Sequence, residues 1–174
     1  SFLFLDGNQK QSLFGAKNAD VAKPWLSQIY TYWDNYDQTL KHELAHIFSR
    51  KYGVTPFKVA EYFNPAMIEG FAMALENNYG DKDIHSVAKN ALESGYEIPV
   101  QKLFSGFNFF DVNSSMAYIY AGSFLRFLLD KYGAEKLKLL YGDIDFEKYY
   151  RISLDSLSNE YKLFLDTLKV VKNS

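Results

Sequence analysis

The sequence contains no cysteine. Disulfide cross-links, thiolate catalysis and cysteine-ligated zinc are therefore excluded, while the redox compartment stays open. Also missing is any apolar run near the 18 or so residues that a membrane span needs. The longest such stretch, Ala117 to Leu129, is interrupted by Ser123 and Arg126 and reads as a buried helix. There is no excess of charge: the formal net charge is −2, which gives no basic face for nucleic acid. Internal repeats and low-complexity linkers are absent too, so a single domain spanning residues 1–174 is the simplest organisation.

Aromatic residues, by contrast, are abundant, at 18% with 14 Tyr and 15 Phe. An aromatic-rich core explains them more simply than a peptide-binding cleft does. Hydrophobic residues at 48% and charged residues at 23% give a globular profile. The chain starts at Ser1 and enters at once a strand-like run, Phe2 to Leu5. This is the pattern expected of a piece of a longer protein, and an extracytoplasmic or membrane-tethered bacterial parent would suit it.

The first third is mixed. Phe2 to Leu5 and Gln28 to Trp33 read as strands, with Gly15 and Asn18 to Asp20 as turn material. From Asp37 the pattern turns helical, with Leu40, Leu44, Ile47 and Phe48 at helical spacing and Gly53 as the stop. A short amphipathic segment, Phe57 to Phe63, leads to Asn64-Pro65, which opens a helix running to about Asn78. Further helices are expected over Asp83–Ser94, from Asn113 or Ser114 to Gly133, over 134–141 and over 153–171. The expected class is α+β, mainly helical with a small N-terminal β-sheet.

The sharpest feature is His42-Glu43-Leu44-Ala45-His46. On a helix, positions i and i+4 share a face, so both imidazoles can reach one ion, with Glu43 rotated beside it to take a proton from water. A catalytic zinc usually has three protein ligands and an open position. His85, 39 residues past His46, is expected at the surface. Glu69 is the better third ligand, because a carboxylate among Ile68, Phe71, Ala72 and Leu75 has little reason to be there unless paired or ligating. The expected metal site is thus His42, His46 and Glu69 around one Zn²⁺ per chain.

The HELAH run with Thr39 before it and Ile47-Phe48 after it, followed by Pro65 to Ala72 (PAMIEGFA), resembles the gluzincin zinc metallopeptidases. The likeness is closest to the bacterial peptidase-MA-like group, whose second helix carries an EGxA motif. The run Tyr118 to Leu128 with Lys131-Tyr132-Gly133 is similar to that group's Tyr-rich helix, and Ser153 to Leu165 to its C-terminal helix. The resemblance spans roughly residues 12–168.

It implies a zincin-like domain that hydrolyses peptide bonds in a peptide or protein substrate, with Glu43 as proton carrier. It also implies a tyrosine that assists the carbonyl oxygen: Tyr118, or else Tyr120. Two departures stand out. The position four after Glu69, where many gluzincins carry an Asp that orients a ligating His, is Met73, which leaves the partner of His42 unidentified. Where the aminopeptidase N-like family has a substrate-anchoring Glu, this chain has Gly15-Ala16-Lys17-Asn18-Ala19, a stretch that could still serve as an edge strand for an extended substrate. The alternatives are a catalytically silent zinc-binding pseudo-peptidase, acting as a binding or regulatory module, and a purely structural helical domain.

Overall fold

A computed structural model of the chain describes residues 1–15, 17, 19–106 and 113–168. Its N-terminal part is a small mixed sheet. β1 (Phe2–Phe4) runs parallel to β3 (Gln28–Tyr32), with Phe2 opposite Tyr30. β2 (Val21–Lys23) runs antiparallel on the other side of β3, with Val21 opposite Tyr30. The order β1-β3-β2 leaves β2 at an edge. Along β3 the side chains alternate, Ile29 and Thr31 buried and their neighbours half-buried, as the two-residue period of a strand requires.

Between β1 and β2 lies α1 (Gly7–Phe14), which the sequence reading misses because its polar residues form no apolar stripe. Asp6 caps it by accepting the N–H groups of Asn8 and Gln9, and Gly15 closes it at a φ of 87°. The edge strand expected over 15–19 is thereby corrected. Gly15 is a helix cap, residues 16 and 18 lie outside the described set, and the strand begins at Val21.

The helical body follows. α2 (Tyr36–Ser49) starts one residue before the expected Asp37 and stops four short of Gly53. Gly53 has a different duty: a Cβ there would sit 2.3 Å from the Lys58 carbonyl carbon, so a backbone crossing requires glycine. α3 (Pro65–Glu76) begins where Asn64 accepts the Met67 N–H at 3.0 Å, and it ends at Asn77 in the left-handed region. A hairpin of β4 (Asn78–Tyr79) and β5 (Lys82–Asp83), absent from the sequence reading, leads into α4 (Ile84–Glu93). Then come α5 (Val100–Phe104), α6 (Ser114–Tyr132, capped by Asn113), α7 (Ala134–Asp143), α8 (Phe146–Tyr150) and α9 (Leu154–Thr167). The short α5 and α8 fall between the helices expected from the sequence.

α6 is the central rod, and its residues Ala117, Ile119, Ala121, Phe124, Leu125 and Leu128 are buried in the core. Its tightest neighbour is α3. A Cβ at Gly70 would lie 2.9 Å from the Ala121 Cβ, and one at Gly122 would lie 2.5 Å from the Met73 Cβ. Around this contact Phe104, Phe124, Phe146 and Tyr161 meet ring to ring, which is where much of the aromatic content goes. The architecture is α+β, mainly helical with a small sheet. Among the described residues, no helix is long and apolar enough to cross a membrane.

Candidate metal centre

α2 and α3 lie side by side, and each brings part of one cluster to their shared groove. His42 and His46 stand one turn apart on α2, with ring centroids 4.9 Å from each other. Both aim a nitrogen at the same oxygen of α3: His42 Nε2 is 3.3 Å and His46 Nε2 is 3.6 Å from Glu69 Oε2. The three donor atoms all lie within 4.8 Å of one another. Ligands about 2.1 Å from a tetrahedral zinc sit roughly 3.4 Å apart, so these residues suit such an ion with little movement. Two neutral nitrogens and a carboxylate are also the donor set zinc favours over calcium or magnesium.

The partner of His42 that the sequence leaves open is Glu76. His42 Nδ1 lies 3.3 Å from Glu76 Oε2, so the ring is held from both ends by carboxylates of one helix. Met73 sits four residues after Glu69, but seven residues also make two helical turns and return to the same face. The signal was therefore present as the spacing of Glu69 and Glu76, hidden because Glu76 belongs to the last turn. Lys41 Nζ donates to the Glu76 backbone carbonyl at 2.8 Å and ties that end of α3 to α2.

The charges shape one another. Burial works against a charged His42, but hydrogen bonds to Glu69 and Glu76, with the charges of Glu69 and Glu43, raise its pKa to about 9. For Glu69, burial pushes upward, yet bonding to His42 and His46 wins and brings it to about 2. Without a cation the cluster thus satisfies itself as an imidazolium–carboxylate pair. Glu43 is buried, and burial raises its carboxyl pKa above the usual range, with Glu69 and Asp20 adding to the rise and both imidazoles opposing it.

A cavity of about 380 Å³ opens beside the cluster, lined by His42, Glu43, His46, Glu69 and Tyr118 on one side and Asp20 to Ala22, Pro24 and Trp25 on the other. Tyr118 comes from the start of α6, and burial, then the charges of Glu69 and Glu43, push its hydroxyl up to about 12. It therefore stays protonated at neutral pH and can donate. Tyr120, two residues on and so on another face of the helix, donates its hydroxyl to the Tyr96 carbonyl at 2.6 Å. Its hydroxyl is tied to the segment that follows α4, and it does not line this cavity.

Asp20 is a site residue that the sequence reading passes over as turn material. Its carboxylate pairs with the fully buried Lys10 at 3.0 Å and accepts from Thr31 Oγ1 at 2.9 Å and from Thr39 Oγ1 of α2. A buried ion pair of this kind fastens the sheet to the ligand helix, and losing one partner typically costs about 3–5 kcal/mol.

The surface placement expected for His85 is corrected: it is buried, at 8% exposure, with Nδ1 2.9 Å from Ser123 Oγ. Tyr30 stacks on Phe2 and Phe14. Phe104, in a Phe-rich stretch 104–110 that is a candidate to line a substrate pocket, is a core residue, and 107–110 lie outside the described residues. No family model matches the chain, and no curated protein or solved structure is significantly similar to it.

Proposed function

We propose that this chain is a zincin-like domain of gluzincin type that hydrolyses peptide bonds with one zinc ion held by His42, His46 and Glu69. The observation that carries the reading is the convergence of two imidazole nitrogens and one carboxylate oxygen at 3.3 and 3.6 Å beside an open cavity. Bound there, zinc supplies Lewis acidity to a water and to a peptide carbonyl.

The protein's own groups do the rest. Glu43, with its raised affinity for protons, accepts one from the attacking water and returns it to the leaving amine. Tyr118 keeps its proton and donates a hydrogen bond to the carbonyl oxygen as negative charge builds there. Glu76 fixes the ring plane of His42 so that Nε2 points at the ligand position. The outer edge of β2, whose Val21 and Ala22 line the cavity, offers backbone groups to an extended peptide.

The test is metal analysis of protein purified without chelator, followed by digestion of an unfolded protein. One zinc per chain is expected, with cleavage falling by about 10²–10⁴ in Glu43→Gln while the zinc remains. Zinc retained without any cleavage that Glu43→Gln alters would overturn hydrolysis and leave a zinc-bearing binding module. No zinc at all would remove the metal centre.

A further inference from the structure

Beside the cavity the chain exposes a row of aromatic rings that core packing does not call for. Trp25, which lines the cavity, is 42% exposed, Phe57 46% and Phe63 47%. They touch in series: Trp25 meets Phe57 edge-on at 5.0 Å between centroids, and Phe57 meets Phe63 at 5.6 Å. The loop that presents Phe57 and Phe63 is strained, because Lys58, Tyr62 and Phe63 take φ values of 59°, 54° and 52°, a region where glycine or asparagine would sit more easily. A bulky ring in left-handed backbone at Phe63, and a chain of exposed rings that runs from it to Trp25 in the cavity wall, are features that folding alone disfavours.

Their position gives them a task. Trp25 lies two residues beyond the end of β2, in the turn Pro24–Leu26 that closes the strand. A peptide lying along the free edge of β2 carries alternate side chains toward the same face, and one placed near the strand's end meets the ring of Trp25. Among the described residues the cavity lining has three carboxylates, Asp20, Glu43 and Glu69, and no lysine or arginine. An acidic side chain would find no lysine or arginine in that lining to pair with, and the remaining wall of Val21, Ala22, Val59 and Ile68 is apolar.

We propose that Trp25, Phe57 and Phe63 form a specificity wall that selects peptides with an aromatic or other bulky apolar side chain beside the bond presented to Glu43. The inference rests on the peptide-hydrolase reading for its substrate class, but its test needs no turnover. Fluorescein-labelled extended peptides, identical except for one position carrying Phe, Leu, Ala or Asp, are titrated by anisotropy against zinc-loaded Glu43→Gln protein.

The Phe peptide is expected to bind about tenfold tighter than the Ala peptide, with Asp weakest. Trp25→Ala and Phe57→Ala in that background should shrink the Phe-to-Ala ratio to about threefold or less, while Trp25→Phe should retain it. Trp33→Ala, at another exposed tryptophan, should leave it unchanged. Zinc content and melting temperature show that each variant is folded. The wall is overturned if the Glu43→Gln parent shows no Phe preference, or if a folded Trp25→Ala, Phe57→Ala double variant keeps the whole of it. Hydrolysis by the unmodified protein is scored separately. An aromatic preference in binding without cleavage keeps the wall and removes the hydrolase, whereas cleavage indifferent to the side chain does the reverse.

Discussion

His42 and His85 are both drawn into the helical body, yet their surroundings diverge. His42 is held between Glu69 and Glu76 and stands beside His46 at a cavity wall. His85 is bonded through Nδ1 to Ser123, which also accepts the Tyr161 hydroxyl at 2.7 Å; its ring packs edge-on against Phe164, and its Nε2 is buried 3.9 Å from Asp130. Burial lowers the proton affinity of His85, while two close carboxylates raise that of His42 against the same burial. The number and distance of facing carboxylates, more than depth, decide whether a buried imidazole carries charge here.

Removing ligands gives the widest separation between the two regions. His46→Ala and Glu69→Ala should each abolish zinc retention through gel filtration, measured by metal analysis, because two remaining donors cannot hold the ion. His85→Ala should keep one zinc per chain and lose on the order of 1–3 kcal/mol of stability from its broken contact with Ser123, read as a lower denaturation midpoint. Zinc lost from a folded His85→Ala, or held by Glu69→Ala, would collapse the distinction.

A finer cut is made at Glu76. Glu76→Ala frees Nδ1 of His42 without removing a donor, so zinc should bind about 10–100-fold more weakly but still stoichiometrically. Competition against a chromophoric chelator measures this. An unchanged affinity would mean that His42 needs no such brace.

A third test varies pH. In the metal-free protein His42 is charged below about 9 and must shed its proton to bind a cation. Glu69, at about 2, is already ionised and adds nothing to the dependence. Zinc affinity should therefore rise by up to about tenfold per unit between pH 7 and 9, as one released proton requires. A flat profile across that interval would contradict the carboxylate clasp. His85 is shifted the other way, downward by burial. Its native pKa lies below that of the unfolded chain, so folding stability should decline as pH drops below about 6.5.

How much of this could be read from the chain depended on range. His42, Glu43 and His46 are fixed relative to one another by the helical repeat alone, and Glu69 betrayed itself as a carboxylate on an apolar stripe. The helices that open after Asn64, Asp83, Asn113 and Ser153 announced their starts through side-chain caps that need no tertiary partner. Glu76 did not stand out, because its use depends on how α3 is rotated against α2. Lys10 and Asp20 met only through the return of the chain by way of α1, whose polar sequence carries no periodic signal. Tyr118 and its reserve Tyr120 are told apart by packing: the Tyr96 carbonyl, in the segment after α4, takes the Tyr120 hydroxyl, and Tyr118 lines the cavity.

The bare crossing of Gly70 over Ala121 has a consequence for the chemistry next door. With no side chain as a spacer, the distance between the ligand helix and the tyrosine helix is set by hydrogen-thick clearance. A single added methyl would wedge the pair apart and carry Tyr118 away from Glu69. The second letter of the EG pair is thus a gauge of reach: it contributes no atom to the proposed reaction, but it sets how far a hydroxyl on one rod stands from a carboxylate on the other.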